Sequence, residues 1–236
     1  MHATSPLPDD APLWRRLVHP DGYGYGGLLL LILISLGFQV GAPEQGWSRV
    51  VIVVLQSATL LASLHVSRVH RWIIRAAWVV TIAAALGAVG SQAGSGELAE
   101  IGTRSLGLML GLMAPAAIVA GVVRQARAEG AITIKTMFGV LCVYLLLGTA
   151  FAFAFGLVSS IDDGRFFAQF SGGSQSDFLY FSFSTMTTTG YGDLTAVADL
   201  GRSLAITEAL IGQIYLVTVV ALIVSNLTRT RARAAR

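Results

Sequence analysis

Charge is scarce in this 236-residue chain: 12% of its residues are Asp, Glu, Lys or Arg, where a soluble domain carries about 25%. That shortage excludes an ordinary soluble globular protein. Cysteine is scarcer still. Cys142 stands alone, so no intrachain disulfide can form, no zinc or haem spacing exists, and the thiol reads as a small buried hydrophobe. Runs of Lys or Arg interleaved with aromatics are also missing, which argues against nucleic acid as a partner. No apolar stretch holds paired carboxylates, a metal cluster or a nucleophile–base set, so neither an enzyme nor an organic cofactor is expected. The first 25 residues include Pro6, Asp9, Asp10, Pro12 and Pro20. They lack the basic start and immediate apolar core of a cleavable signal peptide.

Apolar sequence is what the chain has in quantity. Hydrophobic residues make up 54% of it, its mean hydropathy is +0.69, and these residues fall in blocks near the ~20 needed to cross a bilayer. Six spans are expected, over 26–40, 50–66, 72–89, 105–123, 132–158 and 204–227. Gly41-Ala42-Pro43 stops the first. Between the fifth and sixth, residues 159–203 are too polar at their start to span and too apolar later to be a plain solvent loop. Ser176 or Asp177 is expected to cap a short helix over 178–186. Such a re-entrant element is tolerated at membrane depth only where protein or a watery pore surrounds it. The fold class is therefore an all-α membrane protein.

Charge asymmetry orients it. Six spans place both termini on one side, together with Arg15, Arg16, Arg68, Arg71, Arg75, Arg124, Arg127, Lys135, Arg229, Arg231, Arg233 and Arg236. The other side holds Arg49, Arg104, Arg165 and Arg202, and most of the acids, among them Glu44, Glu97, Asp162, Asp163, Asp177 and Asp193. Basic residues favour the cytoplasm, so both termini are expected there, in a multi-pass protein of a cell (plasma or bacterial inner) membrane.

Residues 187–193 read Thr-Thr-Thr-Gly-Tyr-Gly-Asp. Gly190 and Gly192 carry no Cβ and can adopt the positive φ needed to point successive carbonyls one way. Thr188 adds a hydroxyl at the inner end, and Tyr191 a ring that can wedge against a neighbouring helix. Four such loops about one axis would offer rings of oxygens in place of a potassium ion's water shell.

This segment closely resembles the selectivity filter of potassium channels, and the likeness extends over residues 135–227, their two-helix pore module. The family's Thr-Val/Ile-Gly-Tyr-Gly is here Thr188-Thr189-Gly190-Tyr191-Gly192. The resemblance implies that the carbonyls of Thr188, Thr189, Gly190 and Tyr191 coordinate dehydrated K⁺, the permeating ion, and that the Thr188 hydroxyl closes the innermost site. Thr189 departs from the usual valine or isoleucine but keeps its β-branched shape. Tyr191 argues against the Gly-Asp-Gly of weakly selective cation pores. Tyr180 and Phe181 match the aromatic pair that packs around the filter tyrosine, and Asp193 at the outer mouth would concentrate cations. Where some relatives carry a glutamate behind the filter, this chain has Ser184. Gly212, at the spacing of the family's hinge glycine, would let the last span bend; a small residue packing against the pore helix is the competing account. Leu216, Val220 and Val224 form a stripe that would line the cavity, or equally pack in a core. Glu208, the one acid well inside a span, is expected to face the pore helix and bond to nearby backbone or hydroxyl groups.

Six-span members of that family usually carry arginines every third residue on the fourth span. Here 105–123 has no basic residue, with Arg104 at one end and Arg124 and Arg127 at the other. Moving one charge through 100 mV is worth about 2.3 kcal/mol, so steep voltage gating needs several charges in the field. Strong voltage gating is not expected. The residues after Leu227 are too few for a nucleotide- or calcium-binding domain, and Arg229, Arg231 and Arg233 would anchor to lipid headgroups. Gly22-Tyr23-Gly24-Tyr25-Gly26 has no pore helix or threonine run before it and reads as an interfacial turn. His65 and His70 read as part of a solvated basic loop, with pH sensing as the alternative.

The expected organisation is a cytoplasmic segment (1–25), four peripheral helices without sensor charges (26–126), a pore domain with a re-entrant pore helix and filter loop (127–228), and a basic tail (229–236). One loop cannot encircle an ion, so a tetrameric channel with three identical subunits as partners, in membrane lipid, is implied. The alternatives are a weakly selective cation channel and a non-conducting membrane scaffold or regulatory subunit.

Overall fold

The computed structural model describes residues 25–41, 46–67, 75, 77–83, 97–129, 134–161 and 165–234. Six long helices appear in order: α1 Tyr25–Gly41, α2 Gly46–Val66, α3 Glu97–Glu129, α4 Ile134–Ile161, α5 Gln175–Met186 and α6 Asp199–Ala234. Residues 77–83 are also helical, and most of the expected third span lies outside the described residues. Apart from one isolated bridge between Phe167 and Ala196, the described residues are helical or lie in turns, bends and irregular loops.

Hydropathy located the helices better than their ends. α3 begins eight residues before the expected 105 and α6 runs past the expected 227. A helix does not stop where the apolar run stops, because polar residues continue it into the interface. Two described stretches are long and apolar enough to cross a membrane: Arg104–Arg124, mean hydropathy 2.2, and Met137–Ile161, mean hydropathy 2.3. At 1.5 Å per residue, the 21 residues of the first cover about 31 Å, the thickness of the hydrocarbon core. Tyr25–Gly41 and Val50–Val66 are apolar but shorter.

α4 is the hub, touching α1, α3, α5 and α6. One core lies among α1, α2, α3 and the first half of α4, where Leu28, Ile32, Leu60, Leu64, Leu110, Ile118, Cys142 and Leu146 are buried. Cys142 is thus a buried small side chain, its Sγ 3.6 Å from the Tyr25 carbonyl. Tyr25 and Gly26 belong to α1 and not to a turn; residues 22–24 lie outside the description. A second core is aromatic. Phe155 of α4, Phe178 and Phe181 of α5, and Phe166 and Phe167 of the preceding loop meet with centroids 5.0–5.6 Å apart, spacings that favour edge-to-face and offset ring pairs.

The basic residues at the two ends of the Arg104–Arg124 stretch are held by backbone oxygens. Arg104 lies over the Phe178 ring, 5.3 Å from its centroid, and donates to the Gly156 carbonyl. Arg124 donates to the Ser67 carbonyl. His65 is exposed, and His70 lies outside the described residues.

Candidate functional site

α5 starts earlier than the sequence suggests. Its cap is Ser174, and neither Ser176 nor Asp177 takes that place. The Asp177 amide donates to Ser174 Oγ at 3.1 Å while the Ser174 amide donates to Asp177 Oδ2 at 2.9 Å. This reciprocal box satisfies two otherwise orphaned donors and makes Asp177 the third helical residue. The buried face, Phe178, Leu179, Phe181, Ser182 and Met186, packs on α4 and the aromatic core.

The other end of α5 runs into loop 187–193. Thr187 keeps an ordinary helical conformation (φ −80°, ψ −2°). Thr188, Gly190 and Gly192 then have φ of 58°, 54° and 81°. The glycines adopt such values freely. A β-branched residue does not, and Thr188 is strained by about 1–3 kcal/mol. What holds it is a run of four amides turned the same way. Thr188 N–H donates to the Thr185 carbonyl at 2.9 Å, Thr189 and Gly190 N–H to the Ser184 carbonyl at 2.9 and 3.1 Å, and Tyr191 N–H to Ser184 Oγ at 3.4 Å. These bonds also satisfy carbonyls that the last turn of α5 would otherwise leave open.

Peptide planarity carries this one step further. All peptide bonds described are trans, so each N–H points opposite to the carbonyl of the preceding residue. Amides of Thr189, Gly190 and Tyr191 that face α5 turn the carbonyls of Thr188, Thr189 and Gly190 away from it. Among the described residues, nothing donates to those three oxygens or to that of Tyr191. Residues 187–193 are all exposed. A single chain therefore presents a row of unsatisfied carbonyls on one open side, which is electronegative and fit for a cation.

Hydroxyls reinforce the loop. Thr187 Oγ1 donates to the Phe183 carbonyl at 2.6 Å and lies 2.8 Å from Thr189 Oγ1. A hydroxyl has one hydrogen, so Thr189 donates to Thr187, and the residue that departs from valine or isoleucine is tied back to α5. Further along the loop Tyr191, 69% exposed, stacks on Tyr180 at 5.9 Å and 11°. Tyr180 donates to Asp193 Oδ2 at 2.8 Å, and Asp193 Oδ1 accepts from the Leu194 amide at 3.0 Å.

The sequence-expected residues divide accordingly. Thr188, Thr189, Gly190, Tyr191, Gly192, Tyr180 and Asp193 come together. Phe181 does not reach Tyr191 within the chain; it is buried in the aromatic core, because adjacent helical positions point about 100° apart. Gly212 abuts the end of α5: a Cβ there would collide with the Met186 carbonyl and sit 2.7 Å from Met186 Cγ. The packing account of this glycine is thereby met. Leu216 is half-exposed on α6, and the side chains of Val220 and Val224 lie outside the described residues. Glu208 faces α5 as expected, fully buried and in short contact with Ser182 Oγ.

Two supporting roles were not read from the sequence. Ser184 takes three loop amides, a role invisible because two of them use its carbonyl. The strip on either side of the loop is also clamped: Ala168 N–H donates to the Thr195 carbonyl at 2.9 Å and Val197 N–H to Phe166 at 3.0 Å. Gln169 bonds Thr195 through both ends of its amide, at 3.1 Å each, and Arg202 Nε donates to the Ala196 carbonyl at 3.0 Å. No local pattern marks such a pairing 26 residues apart.

A family model described as an ion channel matches residues 139–229, which is α4 from its second turn, α5, the loop and most of α6. No curated protein matches the chain. The match covers the segment whose geometry is given above, and it supports passive ion conduction by an ion channel domain in a membrane protein.

Proposed function

We propose that this protein is a potassium-selective channel, a homotetramer in which four copies of loop 187–193 surround one axis. The observation that carries the proposal is the row of carbonyls from Thr188 to Gly190, turned outward because their neighbouring amides are held by Ser184. Such oxygens replace the hydration shell of a cation only when several chains contribute them, so the reading requires three identical subunits beside the first. K⁺ is the expected ion on the strength of Tyr191 and the resemblance of the loop; Thr188, Thr189, Gly190 and Tyr191 are its expected ligands, with the Thr188 hydroxyl below them.

Assembly has a surface available. Among the described residues α6 touches only the helices α4 and α5, and Ile206, Leu210, Ile214 and Val217, at 59–65% exposure, form one stripe along it. The rest of the proposal is six spans in a cell membrane with cytoplasmic termini and the Asp193 end outward. Gating is not strongly voltage-dependent, since between Arg104 and Arg124 the fourth span holds no charge. Gly212 serves as a close-packing point, and bending of α6 there belongs to the proposal. Purified protein in potassium-loaded liposomes should pass K⁺ and discriminate strongly against Na⁺. Equal fluxes of the two ions would overturn selectivity, and a crosslinked dimer in place of a tetramer would overturn the channel itself.

A further inference from the structure

Among the described side chains of α6, Glu208 is the one ionisable group buried completely, and conduction as described above makes no use of it. Its Oε1 is in short contact with Ser182 Oγ, while Oε2 is buried with no partner. Ser182 Oγ also lies 2.7 Å from the carbonyl of Gly148 on α4. At Gly148 side chains of α5 pack tightly on α4: a Cβ there would sit 2.9 Å from both Met186 Cε and Phe183 Cζ. Three helices thus meet at one hydroxyl.

Counting hydrogens decides how they are joined. Ser182 has a single hydroxyl hydrogen and two oxygen neighbours that accept. If it goes to Gly148, the contact with Glu208 needs a hydrogen from the carboxyl. If it goes to Glu208, the Ser182 and Gly148 oxygens face each other at 2.7 Å with no hydrogen between them. An ionised Glu208 would in addition be a buried charge with a bare oxygen and no cation beside it among the described residues, an arrangement of high cost. Tyr144 of α4, the titratable neighbour, supplies no positive charge; its hydroxyl is 3.4 Å from the Met186 carbonyl.

We propose that Glu208 is a positioning residue for conduction: a neutral acid that donates to Ser182, which donates to Gly148, so that α6, α5 and α4 are pinned behind the loop. The relay acts on the loop through α5, whose last turn carries the Ser184 and Thr185 carbonyls that hold the amides of 188–190. This inference rests on the channel reading for its functional meaning, though not for its chemistry.

The test uses full-length protein in liposomes with Glu208→Gln, Glu208→Ala and Ser182→Ala. An amide can donate as the acid does, so E208Q should keep most of the potassium flux and the K⁺/Na⁺ ratio. E208A leaves Ser182 without its donor and should lower flux by about tenfold. Infrared spectra give a readout that needs no conduction. The wild type should show a protonated carboxyl band that is absent in E208Q and shifted in S182A. A carboxylate band in its place, or E208Q as damaging as E208A, would overturn the relay. Wild-type protein that passes no potassium would sink the channel reading and leave the infrared result to decide the relay.

Discussion

The peripheral helices α1–α3 and the α4–α6 segment bury polar side chains to different ends. Around α1 and α2, Ser48 and Ser57 are buried with no partner for their hydroxyls, and Gln39 satisfies only its amide nitrogen, on Ser35 at 3.3 Å. Thr59 and Ser63 return their hydroxyls to their own helix. In the α4–α6 segment polar groups reach across elements: Ser182 to Gly148, Glu208 to Ser182, and Tyr215 to the Val140 carbonyl. Apart from Arg104 and Arg124 at the ends of a span, the first region uses polar residues that its packing tolerates. The second uses them to fix geometry, and it is the segment that the ion channel family model matches.

The sharpest way to break this contrast is Gly190→Ala. A Cβ at Gly190 would meet nothing within 4 Å, so its cost is purely the left-handed backbone, about 1–3 kcal/mol. Discriminating K⁺ flux should fall by an order of magnitude or more in the liposome assay while the fold survives by circular dichroism. Gly212→Ala should come next. Here the collision with Met186 displaces the end of α5, at about 1–3 kcal/mol for an overpacked contact, and a lower melting temperature together with reduced flux is expected. Lost flux at unchanged stability would favour bending over packing as the reason for this glycine. Ser57→Ala in α2 should have the smallest effect. Removing a buried hydroxyl that bonds nothing is neutral or stabilising by up to about 1 kcal/mol, and flux should not change. A strong loss there would dissolve the distinction between the two regions.

How far the sequence discloses all this depends on the reach of each interaction. The loop is legible because its chemistry is contiguous: two glycines and three threonines state the backbone they permit. Glu208 is legible because a lone acid in an apolar helix must find a partner, and α5 was the polar neighbour available. The helix ends are less so, since Ser174 outcompetes Ser176 and Asp177 only when a residue three places on returns the bond, and Asp177 does. The packing of Phe181 within the chain is not legible because its face of α5 depends on where Phe155 and Phe166 come from, and both lie outside the motif. The Phe167–Ala196 clamp and the service of the Ser184 carbonyl are non-local or backbone-borne. Side-chain identity says nothing about either.

The amides of Thr188, Thr189 and Gly190 are at once the loop's anchors and the stopper of α5's last turn. Neither can loosen alone. If that turn frays by a single residue, Thr188 loses what opposes its strained φ of 58°, and the row of oxygens scatters while every long helix is still intact. Conduction by the proposed channel should then fail on warming well before the bundle melts.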